Sequence, residues 1–213
     1  MPTYNRLEQC LSLIEQGLRT LYSDIPACQR PNPADNASAA PLSGHERRQA
    51  VRLLRVHHAT EIASQGLYHG QAVTGRRARI RRNMARNLRE EGDHLGWTQQ
   101  RLRQLHARPS LSNPLWYGSA FIIGALSAKA GEQWSLGCIE AHEHHLEKQL
   151  EQQLQQLPAN DHASRAVLEQ IKTEARRHGQ SAWQAGAAPL PWPLRQVLIP
   201  AARRLMQRIA YWI

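Results

Sequence analysis

The sequence predicts an all-α protein, and three observations carry that prediction. Apolar residues recur at spacings of three and four through each long segment, and no strand-like alternation interrupts them. Proline- and glycine-rich stretches separate these segments. Four of the segments also carry a glutamate where a core-facing helix stripe should carry a leucine.

The elements follow in chain order. Residues 1–24 contain an amphipathic helix, with Leu7, Cys10, Leu11, Ile14, Leu18 and Leu21 on one stripe. Residues 25–44 hold four prolines and many small residues, which predicts an extended linker over the surface. Residues 45–213 form the helical bundle of one domain spanning 1–213. Its helices are expected over about 45–75, 76–106, 115–130, 132–157, 162–185 and 193–212, with "ARPSLSNP", "PAND" and "GAAPLPWP" as breaks.

Composition narrows the function. The chain has 213 residues, 41% of them apolar, enough for a sizeable core. A formal charge of +10 attracts polyanions, whether nucleic acid or anionic lipid. No helix-turn-helix or zinc-finger spacing supports a nucleic-acid partner. Cys10, Cys28 and Cys138 form no CxxC and read as free thiols. "MPTYNRLEQC" lacks a signal-peptide pattern. The most apolar stretch, "NPLWYGSAFIIGALSAKAGEQWSLGCI", is interrupted by Lys129, Glu132 and Gln133, which argues against a conventional membrane span.

The inward stripes locate the chemistry. They read Leu54, His58, Glu61, Gln65, Tyr68 in the second helix and Met84, Leu88, Glu91, Leu95 in the third, with His94 beside Leu95. In the fifth and sixth they read Ile139, Glu143, Leu146, Leu150 and Val167, Ile171, Glu174, His178. Four carboxylates aimed at one core repel one another unless cations lie between them. A single Glu from each of two helices and a Glu/His pair from each of the other two is the ligand pattern of di-iron and di-manganese bundles. Glu61, Glu91/His94, Glu143 and Glu174/His178 follow that order, with separations of 30 residues from Glu61 to Glu91 and 31 from Glu143 to Glu174. His142, His144 and His145 flank Glu143 and read as solvated or outer histidines; Glu140 and Glu147 fit the periodicity less well.

At these residues the chain resembles the bacterial demethoxyubiquinone hydroxylases of the ferritin-like superfamily. The likeness runs through "LRVHHATEIASQGLYHGQAVTGR", "EEGDHLGWTQQRL", "RPSLSNPLWYGSAFIIGALSAKAGEQWSLG" and "LPANDHASRAVLEQIKTEARRHGQSA". It implies a ferritin-like four-helix bundle holding two Fe ions, with further amphipathic, membrane-facing helices. The metal ligands it implies are Glu61, Glu91, His94, Glu143, Glu174 and His178, with Glu91 and Glu174 bridging. The chain departs from the family at the last pair. The family's Asp-Glu-x-x-His places Glu174 on the Asp and Ala175 on the ligand Glu, so Glu174 is expected to reach the metal after a shift of the helix. It departs also at His57 and Thr60, where the family has Asn and Gly. Asp93 is a candidate to orient a ligating histidine.

The resemblance further implies O2-dependent hydroxylation of a polyprenyl demethoxy-benzoquinol in ubiquinone biosynthesis. Its partners would be that quinol, O2, a lipid surface and other ubiquinone-biosynthesis proteins, with no nucleic acid. Peripheral attachment at the cytoplasmic face of the inner membrane follows as an expectation. The surfaces offered for substrate and lipid are Trp116, Tyr117, Phe121, Ile122 and Ile123 in one helix and Leu198, Leu205 and Ile209 in the last, with Arg203, Arg204 and Arg208 adding charge. A ferritin-like ferroxidase is the alternative, against which the apolar 115–126 segment argues.

Overall fold

The computed structural model describes residues 6–23, 28–38, 41–75 and 78–213. The remaining positions of the expected N-terminal segment, linker and third helix, and the side chains of Leu7 and Cys10, lie outside the described residues. Seven α-helices account for the fold, and among the described residues there is no strand. They are α1 (Arg6–Tyr22), α2 (Gly44–Thr74), α3 (Ala78–Gln104), α4 (Asn113–Ala130), α5 (Glu132–Gln156), α6 (His162–Gln184) and α7 (Ile199–Trp212).

Local chemistry sets the boundaries. Ser43 and Glu46 cap α2 reciprocally, each side chain taking the other's backbone N–H. The Asp161 side chain accepts from Ser164 N at the start of α6. Pro114 opens α4, where its missing N–H costs nothing. Gly131, at φ 140°, lets the chain end α4 and begin α5 within one residue.

The hairpins α2–α3 and α5–α6 form the bundle. Each of its four helices crosses two apolar layers. Leu54, Trp97, Leu102, Leu146, Leu150, Leu168 and Ile171 build one layer. Tyr68, Met84, Leu136, Ile139 and Ala182 build the other. Glu61, Glu91, His94, Glu143 and His178 fall between these layers along their helices. A polar stratum is thus enclosed on both sides by hydrocarbon.

α4 lies against α2 at unusually close range. A Cβ on Gly66 or Gly70 would collide with the α4 backbone at Tyr117 and Phe121, and one on Gly124 with the backbone of Leu67. α7 covers α2 and α4 through Val56, Ala59, Trp116, Met206 and Ala210. α2 consequently has neighbours on every side and is buried almost all round from Leu53 to Gln71.

Three findings add to the expectations drawn from the sequence. The linker does more than run over the surface: Arg30 and the backbone of Gln29 bond to Asp93, and the amide of Asn32 donates to Gln100. The α1 stripe does not buy core burial, since Leu11, Ile14 and Leu18 remain more than half exposed. Trp116, offered for lipid or substrate, is shut off from the surface, its indole N–H donating to Ser112 Oγ and its ring packing beneath α7, but it lines an apolar cleft there. No helix among the described residues is long and apolar enough to cross a membrane.

Candidate metal centre

Five side chains meet in the polar stratum. Ligand atoms of Glu61, Glu91 and His94 lie within 4.8 Å of one another, as do those of Glu91, Glu143 and His178. Glu91 belongs to both groups. His94 Nδ1 is 3.5 Å from Glu61 Oε2 and 3.7 Å from Glu91 Oε2. His178 Nδ1 is 3.3 Å from Glu91 Oε1 and 3.9 Å from Glu143 Oε1. All five residues are buried, at most 4% exposed.

The donor atoms fit a cation pair. Both Glu61 oxygens, Glu91 Oε2, Glu143 Oε2, His94 Nδ1 and His178 Nδ1 are buried with no hydrogen-bond partner among the described residues. Buried polar atoms are almost always satisfied, and six orphans in one buried layer are expensive unless a ligand takes them. Carboxylates and imidazoles without thiolate suit iron or manganese.

Glu174 is not in either group. Its Oε2 lies 2.7 Å from His94 Nε2, on the ring nitrogen opposite the cluster, and its Oε1 accepts from Arg30 and Gln170. Glu90 does the same for the other histidine: its Oε2 is 2.6 Å from His178 Nε2 and accepts from Arg177. The two halves therefore cross. Each Glu-x-x-x-His pair gives its carboxylate to the histidine of the other helix, and the histidine turns Nδ1 inward. In this pattern Glu90 matches Glu174, and Glu91 matches Ala175. One full helical step of about 100° separates neighbouring residues, which is why Glu174 reaches the back of the imidazole and the inner position is a methyl group.

Asp93 orients no histidine. It is held by Arg30 and Gln29, so the two orienting acceptors are Glu90 and Glu174. Sequence reasoning missed Glu90 and Arg30. The spacing of four from Glu90 to His94, identical to that from Glu174 to His178, was the available signal for Glu90. Tyr68 O–H donates to Glu143 Oε1 at 2.6 Å.

The charges in the metal-free cluster are balanced by protons. Burial opposes charging of His94, but its contacts with Glu174, Glu61 and Glu91 prevail and raise its pKa well above the ordinary histidine value. His178 is pushed up to about 10 against its burial by Glu90 and Glu91. Burial, with Glu91 close by, lifts Glu143 to about 8. Burial works against ionised Glu61 as well, yet His57 and His94 hold its pKa below the usual range.

An apolar cleft of about 320 Å³ lies among α2, α4, α5 and α7. Ala63 and Leu67 of α2, Trp116 and Ile123 of α4, and Leu205 and Met206 of α7 line it. His142, next in the chain to Glu143, closes its inner end and pairs with Ser64 Oγ at 2.7 Å. Burial, aided by Arg203, lowers the His142 pKa to about 3, so its ring is neutral. Of its lining, Ile123 and Leu205 are more than half exposed, as are Ile122 on the same helix as Ile123 and Leu198 in the turn before α7. Tyr117, Phe121 and Ile209 are half-buried, and the Tyr117 hydroxyl meets His69 Nδ1. Arg204 and Arg208 are exposed, whereas Arg203 turns inward to Gln149.

With this geometry in view, the chain can be set beside known proteins. The family described as "Ubiquinone biosynthesis protein COQ7" matches residues 48–210. A "3-demethoxyubiquinol 3-hydroxylase" of Nitrosococcus oceani is 42% identical over 98% of this chain and 97% of its own length. Proteins of the same description from a Polaromonas species and from Acinetobacter baumannii are 42% and 37% identical, the latter over the full length of both chains.

Proposed function

We propose that this chain, which belongs to the Ubiquinone biosynthesis protein COQ7 family, hydroxylates the ring of a polyprenyl demethoxy-benzoquinol with O2. The reading combines its kinship to 3-demethoxyubiquinol 3-hydroxylases with a ferritin-like bundle that carries two donor groups joined at one carboxylate. That shared carboxylate, Glu91, is the observation on which the reading turns. Glu61, Glu91 and His94 would hold one iron; Glu91, Glu143 and His178 would hold the other. Bound there, the iron pair supplies electrons and activates oxygen: one atom becomes the ring hydroxyl, the other leaves as water, and a reductant restores the two electrons.

The protein's own groups do the rest. Glu90 and Glu174 fix His178 and His94 with Nδ1 inward, the orientation a ligating imidazole needs. Tyr68 holds Glu143 Oε1 and leaves Oε2 to the centre. Leu67, Ile123, Leu205 and Met206 receive the apolar tail, so that the quinol ring lies against neutral His142 beside Glu143. The hydrocarbon walls keep bulk water out.

The exposed apolar rim of the cleft, with Arg204 and Arg208 nearby, supports peripheral attachment to an anionic lipid surface, at the cytoplasmic face of the inner membrane. The tail favours this strongly, since each CH2 exposed to water costs about 0.8 kcal/mol. The substrate would enter sideways from the bilayer. An apolar approach suits a quinol and does not suit an iron ion as cargo.

The test is anaerobic loading with ferrous iron, metal analysis, and O2-dependent conversion of a demethoxyquinol. The loaded protein should hold two irons per chain and make the hydroxylated ring. Glu91→Ala should lose both metals; full metal content in that variant would remove the basis of the reading.

A further inference from the structure

The cross-paired pattern leaves one inner position without a carboxylate. Glu91 stands inside Glu90 on α3, while Ala175, 1% exposed, stands inside Glu174 on α6. The stratum therefore offers three carboxylates to the centre, Glu61, Glu91 and Glu143, where symmetry of the two hairpins would give four.

α2 carries an additional buried donor. His57 lies one turn before Glu61, on the stretch of α2 that is enclosed on every side, and is 0% exposed. Its Nε2 is 3.0 Å from Glu61 Oε1. Neither of its ring nitrogens makes a hydrogen bond among the described residues. Among those residues its Nε2 has only the Glu61 carboxylate oxygen beside it and its Nδ1 has nothing, and an imidazole so poorly supplied away from water is costly. His142 offers the contrast: it is next in the chain to Glu143, and its Nε2 pairs with Ser64 Oγ at 2.7 Å.

The separation is informative. Donors about 2.1 Å from an octahedral ion stand roughly 3 Å apart when adjacent. His57 Nε2 and Glu61 Oε1 have that spacing, as do Glu61 Oε2 and His94 Nδ1 to within about half an ångström. Glu61 therefore presents one oxygen toward each of two imidazoles.

We propose that His57, which lies outside both donor groups in the metal-free chain, turns onto the centre when metal binds and serves there as a neutral donor in place of the carboxylate missing at Ala175. This rests on the metal-centre reading given under Proposed function. The exchange has an electrostatic consequence. Three carboxylates against two divalent ions leave the centre one unit more positive than four would, which favours the reduced metals and raises the reduction potential.

The experiment uses the full chain, freed of metal and titrated anaerobically with Co(II), reading stoichiometry by elemental analysis and ligand field by visible absorption. His57→Gln keeps an N–H donor for Glu61 but loses the imidazole. If His57 ligates, this variant weakens one of the two metals at least tenfold and changes the Co(II) spectrum. Adding Ala175→Glu to it restores the second metal, and Ala175→Glu alone lowers the reduction potential. If His57 merely steadies Glu61, glutamine substitutes for it, and unchanged affinity with an unchanged spectrum overturns the proposal. A measurement on the unaltered chain does not depend on the variant folding: electron spin-echo spectra of the mixed-valence iron form, with 15N-histidine labelling, should count three coordinated imidazoles, and a count of two overturns it. Failure of the unaltered chain to bind metal at all would defeat the parent reading instead.

Discussion

Stripping the metal should make the protein less stable as the pH rises above neutrality. In the metal-free cluster His178 is held up to about 10 and Glu143 up to about 8, and His94 is raised well above its ordinary value. In the unfolded chain histidine titrates near 6.5 and glutamate near 4.3. All three folded values are raised, so the native state keeps protons that the unfolded state has released. The contribution of Glu143 is complete below about 4.3 and is lost as the pH climbs through about 8; that of His178 is complete below about 6.5 and is lost toward about 10. Between about 7.5 and 8 all three act together, above the region near 6.5 where His58, His69, His142 and His145, lowered by burial, oppose them. A single proton is worth about 1.4 kcal/mol per pH unit. For a chain of this size that lowers Tm by about 3–5 °C per unit, and three protons would approach three times as much. The assay is a series of thermal melts of chelator-treated protein from about pH 7.5 to 8.5. Glu143→Gln removes one titrating group and should flatten the slope. Metal-loaded protein should show the opposite trend, because its ligands must shed those protons to bind. A metal-free Tm that stays level or rises across the window would refute the proton-balanced cluster.

Other perturbations give sharp expectations. Tyr68→Phe leaves Glu143 Oε1 without its 2.6 Å donor and should cost about 1–3 kcal/mol in urea unfolding, with a second metal that dissociates faster. Arg30→Ala strands the carboxylates of Asp93 and Glu174 and should cost about 3 kcal/mol, the scale for breaking a buried pair, while the metal stoichiometry stays at two. Replacing Ile123 and Leu205 at the rim of the cleft with Ser should weaken binding to anionic vesicles and raise KM for a long-tailed quinol more than for a short-tailed analogue. An equal effect on both quinols would place that cleft off the substrate path.

Much of the bundle was legible because its helices are interrupted by carboxylates at core positions. Glu61, Glu91 and Glu143 break clean 3.6-residue stripes, and each is buried among the others. The hydrophobic period locates a residue on a face; it does not say which side of a neighbouring ring that residue reaches. Glu174 shares the inward face with His178, yet its carboxylate ends behind His94. His57 escaped the stripe because α2 has neighbours all round, so no single face of it is the core face. Trp116 was legible only in part: it lines the cleft, but it does so from a buried position. α4 is apolar on most sides, and only its close approach to α2 at Gly66, Gly70 and Gly124 decides which residues turn inward. Arg30 depends on contacts 63 and 144 residues away, to Asp93 and Glu174, and no local pattern announces them.

Arg30 also ties two distant parts of the chain into one equilibrium. Its guanidinium grips Glu174, and Glu174 grips His94 Nε2. Any preference of the loaded centre for that imidazole orientation is therefore also a preference for a docked N-terminal segment. By reciprocity, docking of the segment must favour loading by the same factor. Arg30 of the segment 28–38 is thus linked through Glu174 to the imidazole that would bind metal, although no atom of that segment is a ligand.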